Sequence, residues 1–268
     1  MGRGPDLSGD LYARGLATLV ASWEEYARGA DGASVQRLPG VTAAVFPGEP
    51  ERGVYNNAVP QRAEAIDAME AAYAEAGVER FAAWVHEGDA VLRAVIERRG
   101  YTVVEETRAM GMPLDGVVPP LSRIEVGRTG WAEYLRVADL PAGLLTRVDP
   151  DAFHVVVGHL DGEVVAAGIS YDHEGDCGIY NVGTGEHARR RGIGTAVTAA
   201  LVRDACERGC KTASLQSTPI GERVYRAVGF QDLGRILECA PRVSRTGAGR
   251  HGRTRTGPRR APPLAQDA

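Results

Sequence analysis

From Leu11 to Arg28, apolar residues recur at three- and four-residue spacing, with Tyr12, Leu16, Leu19, Val20, Trp23 and Ala27 on one side, which predicts an amphipathic helix. The stretch GADGASVQRLPG then reads as turns. Val41 to Phe46 reads as a strand and Gly53 to Val59 as another. Residues 61–76 combine strong helix formers with apolar positions at Ile66, Met69, Ala72 and Tyr73, and Gly77 supplies a stop. A strand RFAAWVHE, a helix AVLRAVIERRG and strand material YTVVEETRAMGMPL follow. DGVVPPLS has adjacent prolines and no periodicity, so a domain boundary is expected there.

The second half opens with a helix over Trp131 to Leu140. Two strands follow, FHVVVGHL and EVVAAGISY, joined by Asp161-Gly162, the strongest hairpin signal in the chain. After the strand CGIYNVGT comes a glycine-broken loop and a helix from about Gly194 to Arg208. The strand TASLQS, a short helix holding Arg223 to Val228, and final strands from Phe230 to Cys239 complete the pattern. This order predicts a mixed α/β fold, a mostly antiparallel sheet flanked by helices.

The two halves resemble each other. VYNNAV at 54–59 matches IYNVGT at 179–184, and RRGYTVVEETRAM at 98–110 matches AVGFQDLGRILEC at 227–239. The separations nearly agree, at 45 residues from Tyr55 to Gly100 and 49 from Tyr180 to Gly229. An internal repeat follows, with one copy over 1–118 and a second over 122–240.

Composition narrows the class. With 268 residues, 44% hydrophobic and 25% charged, the chain can bury a sizeable core. No apolar run approaches the roughly 20 residues of a membrane span. No signal-type stretch opens the chain, and Asp6 breaks the myristoylation pattern. Cys177, Cys206, Cys210 and Cys239 are too few and too irregular for a disulfide framework or a zinc site, so a cytoplasmic protein with reduced cysteines and no metal is expected. Net charge is −4, but Arg242 to Ala268 holds seven arginines against one aspartate, which leaves −10 on residues 1–241. That tail, 241–268, is rich in Arg, Gly and Pro and predicts disorder. It lacks aromatic residues for stacking on bases, so no nucleic-acid partner is expected.

Candidate chemistry concentrates in VGTGEHARRRGIGTAVTAALV. Gly183-Thr184-Gly185-Glu186-His187-Ala188 fits a dinucleotide fingerprint in spelling only, because the strands before it form a hairpin and its helix would have to run through Gly192 and Gly194. Arg189-Arg190-Arg191-Gly192-Ile193-Gly194 instead reads as a loop whose glycines admit a pyrophosphate, with Thr195 opening a long helix.

Residues 122–240 resemble the GCN5-related N-acetyltransferase (GNAT) family. The matching parts are the strand Tyr180 to Thr184, the R-x-x-G-x-G loop at 189–194, the helix after it, and Tyr225-Arg226-Ala227-Val228-Gly229-Phe230, similar to the family's Y-x-x-x-G-F. The resemblance implies the acyl-CoA N-acyltransferase fold, here in two tandem copies, with acetyl-CoA as co-substrate and a small-molecule or peptide amine as acceptor. Val182, Gly183 and Thr184 would hold the pantetheine arm. Arg189, Arg190, Arg191, Gly192, Ile193, Gly194 and Thr195 would hold the pyrophosphate. Tyr225 would protonate the departing CoA thiolate, a transfer that suits a phenol near pKa 10 and a thiol near 8.5. Thr218 and Gly221 depart from the family's usual Asn and Ala.

No general base is singled out among Asp172, His173, Glu174, Asp176, Glu186 and His187. The first half has Pro60-Gln61-Arg62-Ala63-Glu64-Ala65 in place of the loop and Ile96 in place of Tyr225, so cofactor chemistry is expected only in the second half. Asn56, Asn57 and Trp84 are candidate acceptor contacts. The competing reading is a non-catalytic acyl-CoA-binding or sensing module with the same fold.

Overall fold

The computed structural model describes residues 8–50, 55–120, 123–137 and 147–242. The basic tail from 243 onward and the expected helix end at Leu140 lie outside the described residues. The first half contains α1 (Ser8–Arg28), β1 (Ser34–Leu38), β2 (Val41–Val45), β3 (Asn57–Pro60), α2 (Ile66–Glu75), β4 (Ala82–His86), α3 (Ala90–Arg98) and β5 (Tyr101–Pro113). The second contains β6 (Val126–Thr129), α4 (Trp131–Val137), β7 (His154–Leu160), β8 (Glu163–His173), β9 (Asp176–Thr184), α5 (Ile193–Arg208), β10 (Thr212–Ser217), α6 (Glu222–Val228) and β11 (Gln231–Pro241).

Local chemistry explains most of these boundaries. Asp161 and Gly162 take φ values of 53° and 84°, the primed turn that an Asp-Gly hairpin requires. Asp89 caps α3 by accepting the Leu92 amide at 2.9 Å. Gly209, with φ of 88°, ends α5.

Three expectations needed correction. GADGASVQRLPG is not all turn, because Ser34–Leu38 pairs with β2 across Pro39 and Gly40. A four-residue strand, β6, precedes α4 and pairs with β7. The final segment is one long strand, β11, interrupted by two register shifts against β5.

All eleven strands form one sheet in the order β1-β2-β3-β4-β11-β5-β10-β9-β8-β7-β6. The order reveals a reciprocal exchange. β5, the last strand of the first half, pairs with β10, while β11, the last strand of the second half, pairs with β4. The exchanged strands then pair with each other at the centre. The linker expected as a boundary thus separates β5 from β6 in sequence, while the sheet runs unbroken through both halves.

One face of the sheet carries α2 and α3 over one end and α5 and α6 over the other, each pair with its own apolar core. The opposite face carries α1 and α4. α1 reaches both halves: Trp23 meets Trp84 edge-on at 5.7 Å, and Tyr26 stacks on Phe153 at 4.9 Å. Its buried Leu11, Leu19, Val20 and Trp23 each contribute about 1.5–3 kcal/mol. The exposed Arg14–Asp10 pair on the same helix adds well under 1 kcal/mol. Apolar burial therefore fixes α1 across the junction.

Candidate functional site

β9 and β10 run parallel but stay paired only at Asp176, Cys177 and Gly178 against Thr212, Ala213 and Ser214. Beyond those residues they part. From Ile179 to Thr184, β9 pairs only with β8, and Leu215 to Ser217 pair only with β5. A bulge helps them diverge: Asn181 and Val182 together oppose Gly168, and Asn181 takes a left-handed φ of 52°. The result is a V-shaped cleft with a free backbone edge on the β9 side. Val182, Gly183 and Thr184 lie along that edge and are buried, and Thr184 Oγ1 is a buried hydroxyl with no hydrogen-bond partner.

The closed end of the V is tied by Asp176, whose oxygens accept 2.6 Å bonds from Thr212 Oγ1 and Ser214 Oγ. Gly15 of α1 sits directly above. A Cβ there would lie 2.7 Å from Ser214 Cβ, so only glycine lets the helix approach this closely.

The loop after β9 is tethered to β8 by the Gly185 amide, which donates to Val165 O at 2.8 Å. Arg189 turns inward and donates from Nε to Thr184 O at 3.1 Å, joining the loop to the strand. Arg190 and Arg191 are exposed, and Arg190 is left-handed at φ 61°. Gly192, at φ 80°, turns the chain into α5 without a side-chain cap. The first intrahelical bond runs from Ala196 N to Gly192 O, so helix geometry leaves the amides of Ile193, Gly194 and Thr195 without intrahelical acceptors. Uncapped amides and two exposed guanidinium groups gather free donors and positive charge at the mouth of the V. These donors suit a pyrophosphate, and the free strand edge suits an amide-bearing arm.

Tyr225 packs in the same apolar cluster as Val182, Ile193 and Leu215. Burial holds its phenol well above the ordinary tyrosine range. Gly221 explains one departure from the family pattern, since a Cβ there would lie 3.0 Å from both the Tyr225 ring and Ser217 Oγ.

The candidate bases separate clearly. Burial alone would raise Asp172, but Arg208 donates to it at 2.6 and 2.8 Å and holds its carboxyl below the usual range. Glu174, Glu186 and His187 are exposed, and Asp176 is committed to its two hydroxyl donors. The suggested acceptor contacts in the first half are internal. Asn56 accepts the Phe46 amide at 2.7 Å and donates to Glu49 O at 3.0 Å, while Trp84 Nε1 donates to Asn57 Oδ1 at 3.1 Å.

Sequence reasoning missed the Asn181 bulge and underweighted Asp176. The sign of the clamp was a carboxylate opening an apolar strand, DCGIYNVGT.

Residues 128–225 match the model of the acetyltransferase (GNAT) domain. This part of the chain resembles a GNAT domain. The fold of nearly the whole chain recurs in solved structures. A GCN5-related N-acetyltransferase from Kribbella flavida aligns over 86% of this chain and 96% of its own, with TM-score 0.64 and 17% identity. One from Sphaerobacter thermophilus aligns over 89% and 94%, with TM-score 0.56 and 17% identity. A tandem GNAT protein from the clavulanic acid biosynthesis pathway aligns over 82% and 94%, with TM-score 0.53 and 14% identity. No curated protein matches the chain.

Among the described residues, no group of His, Cys, Asp and Glu is arranged to hold a metal, and no helix is long and apolar enough to cross a membrane.

Proposed function

We propose that residues 122–240 form an acetyl-CoA-dependent amine N-acetyltransferase and that residues 1–118 are a degenerate copy of the same fold without a cofactor loop. The observation that carries this reading is the parting of β9 and β10 beside an uncapped, arginine-flanked α5. In the first half the corresponding place is closed. Under the match of VYNNAV to IYNVGT, Asn57 and Ala58 stand where Val182 and Gly183 do. They pair with Ala82 and Ala83 of β4, and Trp84 reaches across to Asn57. Ile96, at the place of Tyr225, is an apolar core residue.

Acetyl-CoA would supply an acyl group activated as a thioester. The β9 edge at Val182, Gly183 and Thr184 receives the pantetheine arm, and a β9 amide steadies the charge that develops on the thioester oxygen. Arg190, Arg191 and the amides of Ile193, Gly194 and Thr195 hold the pyrophosphate, while Arg189 braces the loop around Gly192. A neutral amine attacks directly, with both substrates bound and no covalent enzyme intermediate. As the C–S bond breaks, Tyr225 Oη donates a proton to the departing thiolate, and the proton that the nitrogen loses on becoming an amide passes to solvent water, from which the tyrosinate is reprotonated. Burial strengthens the phenol's hold on its proton, but the same apolar surroundings raise the proton affinity of a buried thiolate, so the transfer stays close to balanced. The acceptor is a small-molecule or peptide amine. Four unbridged cysteines agree with a reducing, cytoplasmic setting.

Thiol release from acetyl-CoA with a panel of amines tests the reading. Tyr225→Phe is expected to lower kcat by about a hundredfold or more while leaving the KM for acetyl-CoA within about twofold. Tight acetyl-CoA binding with no thiol release for any amine would replace the enzyme with an acyl-CoA-binding module.

A further inference from the structure

Tyr225 takes its position from α6. Among the described residues no hydrogen bond holds its hydroxyl, and burial is what governs the phenol. α6 itself is seven residues long and begins at Gly221 without a side-chain cap. A helix this short has little stability of its own, so its neighbours must fix it.

Those neighbours include a ring of alternating charges. Arg108 of β5 lies with Nε 3.1 Å from Oε1 of Glu222, in the first turn of α6, and its Nη1 donates to Asp232 Oδ2 at 2.7 Å in β11, just past the helix. Arg226 closes the ring from the last turn of α6, with Nη2 3.5 Å from Glu222 Oε2 and 3.2 Å from Asp232 Oδ2. The two arginines are not equivalent. Arg226 is 51% exposed and rides on the helix it would fix, whereas Arg108 is 17% exposed and anchored in the middle of the sheet. Exposed pairs contribute little, and partly buried ones are screened much less. Without Arg108 the two carboxylates would share one exposed cation and push α6 away from β11. Arg108 also stands beside Tyr225 in the sheet. Its cross-strand partner on β10 is Ser217, whose Oγ and the Tyr225 ring both lie 3.0 Å from a Cβ placed at Gly221. Two residues along β5, Met110 packs in the same apolar cluster as Tyr225.

We propose that Arg108 is a positioning residue for Tyr225. By drawing Glu222 and Asp232 together, it sets where α6 lies on the sheet and so aims the Tyr225 hydroxyl at the departing sulfur. The inference rests on the acetyltransferase reading of the V. It gives the first half, which lacks the cofactor loop, a part in the reaction through the one strand it lends to β10.

The test is a double-variant cycle on thiol release by the full chain, with acetyl-CoA and an amine that the wild type acetylates. Arg108→Ala should lower kcat about tenfold or more while calorimetric acetyl-CoA affinity stays within about twofold. In a Tyr225→Phe background the same substitution should change kcat by less than about twofold, because it acts through the missing hydroxyl. Arg108→Lys keeps the charge but loses the fork that reaches two carboxylates at once, so it should recover part of the rate. If Arg108→Ala does not fold, Asp232→Asn carries the same comparison with a smaller fall. An unchanged kcat, or an equal fall in both backgrounds, would overturn the proposal. A second readout needs no turnover. In nuclear magnetic resonance spectra of the chain with isotope-labelled tyrosine, the Tyr225 signal, identified by its loss in Tyr225→Phe, should move in the Arg108 variant, and an unmoved signal would also overturn the proposal. Failure of the transferase reading shows in the wild type instead, as no thiol release with any amine. That result would remove Arg108 from a proton transfer, while the Tyr225 signal would still decide whether Arg108 holds Tyr225 in place.

Discussion

Ser214 Oγ donates a 2.6 Å hydrogen bond to Asp176 Oδ2 at the last position where β9 and β10 remain paired. With the matching bond from Thr212, this clamp sets where the V begins. Asp176→Ala would strand two buried hydroxyls, for which we expect a loss of about 2–3 kcal/mol in urea unfolding. Asp176→Asn keeps an acceptor and a donor for the same pair, so it should lose less. Acetyl-CoA affinity should fall in the same order.

The close approach of α1 to the clamp gives a second prediction. Gly15→Val would drive a branched side chain into Ser214, since even a Cβ would come within 2.7 Å. Overpacking of this kind costs about 1–3 kcal/mol. The melting temperature should drop, and the loss should exceed that of Gly32→Ala, which meets nothing within 4 Å but carries a positive φ.

Glu238 makes a pH prediction with a definite sign. Its folded carboxyl, near 7, lies above the ordinary value of 4.5. The uncharged acid is therefore favoured by folding, and its contribution is complete below pH 4.5 and lost as the pH rises through 7. The full span corresponds to at most about 3 kcal/mol. Asp172 and Asp232 titrate with the opposite sense, so the informative quantity is the difference between wild type and Glu238→Gln. That difference should favour the variant at pH 8 and shrink toward pH 4.5. A pH-independent difference would show that Glu238 is not desolvated.

Strand exchange predicts cooperativity. Because β11 lies between β4 and β5, and β5 lies between β11 and β10, neither half owns a complete sheet. Calorimetry should show one unfolding transition for the two halves. A chain ending at Gly229 exposes edges of both β4 and β5 and should lose cooperative unfolding altogether. Two separable transitions would contradict the exchange.

Much of this was legible in the sequence, for local reasons. Asp161-Gly162 dictated its hairpin, the period of residues 11–28 dictated α1, and Gly192 marked the turn into α5. β1 escaped because SVQRL is an edge strand with mostly polar side chains and no buried face to impose alternation. β11 read as more than one strand because Gly234, at φ 100°, and the register shifts break its period. The exchange of β5 and β11 is a choice of partners more than a hundred residues apart, which no local pattern encodes. Glu238 did leave a trace, as one carboxylate inside the apolar run ILECA, but its meaning depends on Glu105 across the sheet.

The most direct test of the account is calorimetric titration of the whole chain with acetyl-CoA, beside Gly194→Trp, which fills the loop at the start of α5. One site per chain, abolished by the substitution, is the predicted result. No binding, two equal sites, or binding that survives Gly194→Trp would contradict a single working cleft between β9 and β10.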